Sequence, residues 1–240
     1  GALERVNVIL SKMRRPNLSE LPPVSSEITG ESAIREVLTS PIRFRTFMLW
    51  AGYGMLVAAY YFANTWTPKI MASASNNDSL GVTTGMVANA GGILGCFVFS
   101  ALATKFRSRP LLVLSLLGAA LAYLVFSLFF AQISIAIVLA GLLGLLTNAG
   151  IAGFYSVSPD IYSARARATG VGWMIGLGRL VSIVAPIAVG YLLAGGWEAE
   201  NIFKLFTIPL AASALSIIAL GYSLKRQTPQ TSGLPPVAVS

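Results

Sequence analysis

Residues 111–159 read LLVLSLLGAALAYLVFSLFFAQISIAIVLAGLLGLLTNAGIAGFYSVSP and contain no charged residue. Because one helical crossing of a bilayer takes roughly 20 residues, this run is long enough for two helices with a turn near Gln132. The stretch therefore predicts a membrane-spanning helical hairpin.

The rest of the chain extends this prediction to a larger bundle. The 240 residues are 55% hydrophobic and 11% charged, and the mean hydropathy is +0.72. One soluble core of this length could not bury so much apolar surface. We therefore expect an all-α membrane protein with a six-helix bundle over 46–224. Its predicted spans are 47–66, 82–103, 111–130, 133–157, 172–193 and 202–224.

Basic residues are distributed unevenly around these spans. Seven precede the first span, three follow the second, two follow the fourth and two follow the sixth, whereas Lys69 and Lys204 lie on the other side. Cytoplasmic loops of membrane proteins carry an excess of Lys and Arg, so both ends of this segment are predicted to be cytoplasmic. Because these residues flank apolar spans, the net charge of +8 does not indicate a nucleic-acid partner.

The sequences that flank the bundle differ from it in composition. Apolar residues recur at helical spacing between Leu3 and Met13 and again between Ala33 and Leu38, and prolines follow both stretches. We expect 1–45 to be a cytoplasmic linker with short amphipathic helices. Residues 225–240 are predicted to be a disordered tail. Without an apolar signal-peptide core near Gly1, the segment is expected to begin within a longer protein.

Two residue types that often carry enzyme chemistry are scarce. Histidine is absent and Cys96 is the only cysteine, so the commonest general base and a thiol metal cluster are both missing. We predict no metal, no cofactor and no enzymatic activity. A six-helix membrane enzyme and a channel or scaffold subunit that oligomerises through glycine faces are the alternatives from other functional classes.

Small residues recur at four-residue spacing within the spans. This pattern allows two membrane helices to approach closely, although it is common and weakly specific. The pairs are Gly91 with Gly95, Ala140 with Gly144, and Gly172 with Gly176.

Arg179 is the only charged residue between Ala168 and Trp197. A charge at the centre of a span costs at least about 2.5 to 3.5 kcal/mol, so its presence indicates a partner, a wet cavity or an anionic ligand. Gly176 and Gly172 lie on the same helical face and would leave room for a ligand or another helix. The alternative is snorkelling, since Arg179 lies about 10 Å from the predicted cytoplasmic end of its span.

Other spans carry polar side chains at helical spacing. Tyr60 and Asn64 lie on the first span, and Asn148 and Tyr155 lie on the fourth. Tyrosine rings stack on a planar ligand, while asparagine, tyrosine and arginine hydrogen-bond a carboxylate. These four residues and Arg179 are therefore candidate substrate-binding residues for an aromatic acid. For each of the four alone, ordinary helix packing is the alternative.

Asp160 is the only acidic residue between Pro110 and Trp197, and it lies near Arg165 and Arg167. We expect Asp160 to pair with one of these two arginines at the cytoplasmic ends of the fourth and fifth spans. Such a cluster would either latch the cytoplasmic side of a moving bundle or act as an interfacial ion pair and topology anchor.

Residues 160–190, DIYSARARATGVGWMIGLGRLVSIVAPIAVG, resemble the tenth-to-eleventh helix region of major facilitator superfamily transporters, in particular the aromatic acid:proton symporters. The resemblance extends from Ala2 over the whole chain, and 60–70, YYFANTWTPKI, looks like the seventh helix of these carriers. It implies one half of a twelve-helix fold. The residues that match the family pattern are Arg167, Ala168, Thr169, Gly170, Gly172, Gly178, Arg179 and Pro186.

The loop after the second span, SALATKFRSRP at 100–110, resembles a degraded copy of the superfamily's G-x-x-x-D-R/K-x-G-R-R/K motif. Ser100 and Thr104 stand where glycine and aspartate are usual, whereas Lys105, Arg107 and Arg109 retain the positive charge.

The resemblance also implies a function and partners. It predicts proton-coupled uptake of aromatic acids such as hydroxybenzoates across the inner (plasma) membrane by alternating access, with another organic anion such as muconate as an alternative substrate. The partner would be an amino-terminal six-helix half that carries the proton-coupling acid. By resemblance, Arg179 would neutralise the substrate carboxylate, and the cytoplasmic gate would comprise Asp160, Arg165 and Arg167.

Overall fold

The computed structural model describes residues 2–12, 19, 30–39, 42–164 and 166–225. Arg165 and the predicted tail beyond Lys225 lie outside these ranges. Within them the chain is helical and contains no strand. The α-helices are α1 (Ala2–Lys12), α2 (Gly30–Leu38), α3 (Ile42–Ser75), α4 (Asp78–Ala103), α5 (Ser108–Phe129), α6 (Ile133–Val157), α7 (Arg167–Ala194) and α8 (Ala199–Lys225).

Six of these helices, α3 to α8, are long and apolar enough to cross a membrane. A chain in lipid must satisfy its backbone hydrogen bonds internally, which a helix does within one segment. The predicted all-α membrane fold is therefore confirmed. The helices extend beyond several predicted spans: α3 covers Ile42–Ser75 around 47–66, and α7 begins at Arg167 ahead of 172.

α4 and α6 pack with their backbones in contact. A Cβ added to Gly91 would lie 2.1 Å from the Gly141 carbonyl oxygen, and one added to Gly144 would lie 1.9 Å from the Ala88 carbonyl oxygen. Gly95 makes the same type of contact with α6. The close approach predicted for these glycines is confirmed.

An aromatic core joins α3, α5 and α8. The ring centroids of Phe62 and Phe203 are 4.8 Å apart, and those of Phe126 and Phe203 are 4.4 Å apart. Tyr123 is fully buried, and its hydroxyl donates to the Ala59 carbonyl oxygen at 2.6 Å. This core fixes α3 against the bundle, so polar side chains on the rest of α3 are held in defined positions.

α7 is attached to the bundle mainly along α3. The indole N–H of Trp50 donates to the Gly170 carbonyl oxygen at 3.0 Å, and that of Trp66 donates to the Pro186 carbonyl oxygen at 3.1 Å. In the most apolar 18-residue stretch of α7 only 17% of the residues are buried, compared with 44% in the corresponding stretch of α3. α7 therefore presents a long open face.

One end of the bundle, which we call the basic end, contains the start of α3, the α4–α5 connection and the end of α8. Arg45 is 8% exposed there, and its Nε and Nη2 donate to the Oγ and carbonyl oxygen of Ser223 at 3.2 and 3.0 Å. At the opposite end, Lys204 pairs with Glu200 at 2.5 Å.

Candidate binding site

Arg179 lies on the open face of α7 and bonds to α3. Its Nη1 donates to the Tyr61 hydroxyl at 3.2 Å. Because α7 begins at Arg167, Arg179 lies about 18 Å along the helix. The Trp50–Gly170 and Trp66–Pro186 hydrogen bonds join residues of α3 and α7 that are 120 positions apart, so Tyr61 lies within about one helical turn of Arg179 along the bundle. Arg179 therefore bonds to a neighbour at nearly its own level.

Tyr53 lies near Arg179 and contacts a further tyrosine, Tyr155. The Tyr53 and Tyr155 hydroxyls are 3.0 Å apart, and their ring centroids are separated by 5.9 Å. Tyr53 also packs on Gly178, where an added Cβ would lie 2.4 Å from Tyr53 Cε1. Because Gly178 precedes Arg179 in α7, Tyr53 lies close enough to interact electrostatically with Arg179 and Tyr61. Together Tyr53, Tyr61, Tyr155 and Arg179 form what we call the arginine cluster.

The local sequence of α7 explains the open position of this cluster. Gly178 permits the Tyr53 ring to lie against the helix, whereas Gly172 and Gly176 have no atom within 4 Å of an added Cβ. The Ser182 hydroxyl donates to the Arg179 carbonyl oxygen at 2.7 Å, so it does not compete for the guanidinium. The cluster therefore borders free space along one side of α7.

Tyr60, Asn64 and Asn148 lie together elsewhere, around a cleft between α3, α4 and α6 that Asn89 also lines. Asn64 Nδ2 donates to the Tyr60 hydroxyl at 3.1 Å, and Asn148 Nδ2 donates to the Gly144 carbonyl oxygen at 2.9 Å. The cleft has room for roughly one water molecule.

The five predicted binding residues thus divide between two sites. Arg179 and Tyr155 belong to the arginine cluster, whereas Tyr60, Asn64 and Asn148 line the asparagine-rich cleft. Asn148 and Tyr155 are separated by seven residues of α6, or about 10 Å. The two sites adjoin through Tyr60 and Tyr61, whose ring centroids are 5.1 Å apart.

The predicted binding set lacks two residues of the arginine cluster, Tyr53 and Tyr61. Tyr61 follows Tyr60 directly, and both residues lie within one broad face of α3 with Tyr53, at helical spacings of seven and eight. Inclusion of every tyrosine seven or eight residues after Tyr53 would have identified Tyr61 as a candidate. Spacing alone does not say which of two adjacent tyrosines faces α7.

Asp160 and Arg167, two of the three residues predicted for the gate, lie within the described residues. Arg167 Nε donates to the Pro159 carbonyl oxygen at 3.2 Å. Among the described residues, Asp160 forms no ion pair with Arg167, and Arg165 lies outside those residues. Asp160 instead lines a groove with Arg107 and Arg109. The short 3-10 turn Ser158–Ile161 directs it toward the start of α5.

No ligand set for a metal ion occurs in the part of the chain that the structure describes, because no three His, Cys, Asp or Glu side chains are grouped there. Cys96 Sγ lies 3.8 Å from the Asn148 carbonyl oxygen. The chemistry available at both sites is therefore hydrogen bonding, ring stacking and one guanidinium charge.

Comparisons with known proteins identify related sequences. The Major Facilitator Superfamily family model matches residues 97–238. The chain is 25% identical over 207 residues to a gallate transporter of Pseudomonas putida, which covers 86% of this chain and 46% of that protein. It is 23% identical over 200 residues to a 4-hydroxybenzoate transporter of the same species, covering 83% and 44%.

A third relative is matched over nearly the whole chain. This is a benzoate transport protein of Acinetobacter baylyi, 26% identical over 246 residues that cover 98% of this chain and 51% of that protein. The chain thus spans about half the length of the curated relatives it matches.

Proposed function

This chain belongs to the major facilitator superfamily, and we propose that it is the carboxyl-terminal six-helix half of a carrier that takes up aromatic acids such as hydroxybenzoates together with protons. The matched relatives are named as transporters and not as enzymes, in agreement with the prediction of no enzymatic activity. The observation that carries the proposal is the hydrogen bond from Arg179 to Tyr61 on the open face of α7.

The guanidinium of Arg179 suits a carboxylate ligand. Arginine has five N–H donors in a planar fork, and Tyr61 accepts from only one nitrogen here. The remaining donors can bind both oxygens of a carboxylate at once. Because a charge at this depth is costly in an apolar bundle, a substrate anion would neutralise it at the site.

The tyrosines give the site a preference for a planar ring. Tyr61 bonds to the guanidinium, and Tyr53, which packs on the neighbouring Gly178, contacts Tyr155. Such rings stack on an aromatic acid. Tyr60, Asn64 and Asn148 would line the far end of the site and hydrogen-bond a ring substituent. Since their cleft holds about one water, it must widen during transport.

The open face of α7 fits a second helical bundle. Added Cβ atoms at Gly172 and Gly176 meet no atom within 4 Å, so a helix of an amino-terminal half can approach there. The acidic residues of α3 to α8 lie at helix ends, at Asp78, Asp160 and Glu200 among others. We therefore assign the proton-coupling acid to that other half.

The basic end would face the cytoplasm of a cell whose inner membrane holds the carrier, following the positive-inside rule. There Asp160, Arg165 and Arg167 would act at the gate, and Lys105 with Arg107 and Arg109 would form the loop motif between α4 and α5. Substrate would cross by rocking of the two halves around the site.

The proposal is tested by uptake of radiolabelled 4-hydroxybenzoate into cells that express the full-length protein. We expect saturable uptake that a protonophore abolishes. Arg179→Lys should lower the uptake rate at low substrate concentration at least about tenfold, because an ammonium cannot bind a carboxylate bidentately. Arg43→Lys, the same substitution at an exposed site outside the bundle core, is the control and should retain uptake.

Other outcomes of this experiment would contradict the proposal or change the assigned substrate. Uptake by Arg179→Lys equal to that of Arg43→Lys would reject direct contact with the substrate. Flux that neither saturates nor responds to a protonophore would support a channel. No uptake of 4-hydroxybenzoate by the expressed full-length protein, together with saturable uptake of labelled muconate, would assign the carrier to a dicarboxylate.

A further inference from the structure

A second groove, which shares no lining residue with the arginine cluster, lies at the basic end between α5 and α8. It offers about 690 Å³ to a water-sized sphere, a volume within the range of small-molecule sites. Its polar end and its apolar walls are contributed by different residues. Those most relevant to its chemistry are Arg107, Arg109, Asp160, Leu114, Leu117 and Ile218.

The polar end of this groove is positively charged. Arg107 and Arg109 lie opposite a single carboxylate, Asp160. The Ser156 hydroxyl donates to the Ser108 hydroxyl at 2.8 Å, which holds the end of α6 and the following turn beside the start of α5. Arg45 lies near enough to Arg109 for the two like charges to repel. An anion bound at Arg109 would reduce this repulsion and would be stabilised there.

The walls of the groove are apolar and open to the outside of the bundle. Leu114 is 68% exposed and Leu117 is 47% exposed. Arg109 and Leu117 are eight residues apart on α5, or about 12 Å. Half of the hydrocarbon core of a bilayer is about 15 Å thick. With Arg109 at headgroup depth, a groove of this length would reach down most of one leaflet.

We propose that this groove binds an anionic phospholipid, with the headgroup phosphate on Arg107 and Arg109 and one acyl chain along Leu114, Leu117 and Ile218. The charge at the polar end complements a phosphodiester, and basic pockets between helices at a membrane surface bind such headgroups. A free anion would leave the apolar walls unused. This site includes Asp160 of the proposed gate and two arginines of the loop motif, but it shares no residue with the substrate site, and lipid binding can be measured without transport.

Native mass spectrometry of the purified full-length protein tests the site. Phosphatidylglycerol is titrated against phosphatidylcholine with the same acyl chains. We expect tight binding of one phosphatidylglycerol and a loss of at least about tenfold in its affinity for R107Q/R109Q. The control, R35Q/R43Q, removes two exposed charges near the same end but outside the groove, and should retain the lipid. Equal binding by the two double variants would overturn the proposal.

Gly221→Trp tests the apolar part while keeping both arginines. Gly221 lines the groove, and an added Cβ there meets no atom within 4 Å. The indole should therefore fill the groove without a clash and weaken phosphatidylglycerol binding by a similar factor. Unchanged lipid binding in this variant would contradict an acyl chain in the groove. Displacement of the lipid by millimolar inorganic phosphate would show a free-anion site instead and would also overturn the proposal.

Discussion

The α4–α6 and α3–α7 interfaces hold their helices together by opposite means. Between α4 and α6 the contact is backbone against backbone, as at Gly144 and Ala88. Between α3 and α7 it is made by long side chains, through the indoles of Trp50 and Trp66 and the hydroxyl of Tyr61. One interface has no space to adjust, whereas the other is built from groups that can exchange partners.

This difference has a physical origin. Lipid tails are as apolar as the side chains, so there is no hydrophobic driving force between helices. Membrane helices therefore associate through van der Waals packing and interhelical hydrogen bonds. Close packing of glycines maximises the first contribution and resists sliding. Directional bonds from tryptophan, tyrosine and arginine supply the second, and a ligand can replace them. We therefore expect α4 and α6 to move as a unit and α7 to adjust when substrate binds.

The largest expected effect comes from filling the tight interface. In Gly144→Ala the new methyl would lie 1.9 Å from the Ala88 carbonyl oxygen, and backbone atoms cannot move aside without separating the helices. We expect a loss of at least about 2 kcal/mol of stability, measured as a lower melting temperature of the purified full-length protein. Gly221→Ala, the same change in open space, should alter stability by less than about 1 kcal/mol. Equal melting temperatures would show that the backbones are not in contact.

The fold itself was largely predictable from the sequence. Hydropathy identifies membrane helices because backbone polar groups without hydrogen-bond partners are too costly in lipid. The glycine spacing correctly indicated Gly91, Gly95 and Gly144 as contact residues, whereas Gly172 and Gly176, at the same spacing, meet no atom within 4 Å of an added Cβ. The ends of the helices were harder to predict. α3 continues to Ser75 because hydrogen bonding maintains a helix beyond the apolar stretch that hydropathy detects.

A smaller effect is expected at the adjustable interface. Trp66→Phe removes the N–H that donates to the Pro186 carbonyl oxygen at 3.1 Å but keeps an aromatic ring beside Gly190. We expect a loss of about 1 kcal/mol, again read as a lower melting temperature. Trp197→Phe, at a 47% exposed tryptophan between α7 and α8, is the matched control. A drop as large as that of Gly144→Ala would mean that α3 and α7 are held as rigidly as α4 and α6.

The candidate site was only partly predictable. Arg179 was evident from its isolation in an apolar run, since the cost of a membrane charge makes such a residue conspicuous. Which side chains meet it was not evident. Tyr60 and Tyr61 differ by about 100° around α3, and only the packing of α7 determines that Tyr61 faces the guanidinium. The separation of Asn148 from Tyr155 depends likewise on how three helices meet.

The smallest and most specific effect is expected at Tyr61. Tyr61→Phe removes the hydroxyl that accepts from Arg179 and keeps the ring, so the guanidinium loses one constraint on its orientation. A hydrogen bond to a charged group contributes about 1.5 to 3 kcal/mol at most, and a substrate carboxylate can replace part of it. We therefore expect the KM for 4-hydroxybenzoate to rise severalfold with a smaller change in the maximal rate. Tyr222→Phe, at an exposed hydroxyl near the end of α8, should leave both unchanged.

The double variant decides whether Tyr61 acts through Arg179. If Tyr61 positions the guanidinium, Tyr61→Phe should have little further effect on uptake in an Arg179→Lys background, since the oriented fork is already lost. Independent, additive losses would instead mean that Tyr61 contacts substrate on its own. In that case the bond between α3 and α7 would be structural, and the adjustable interface would not be coupled to binding.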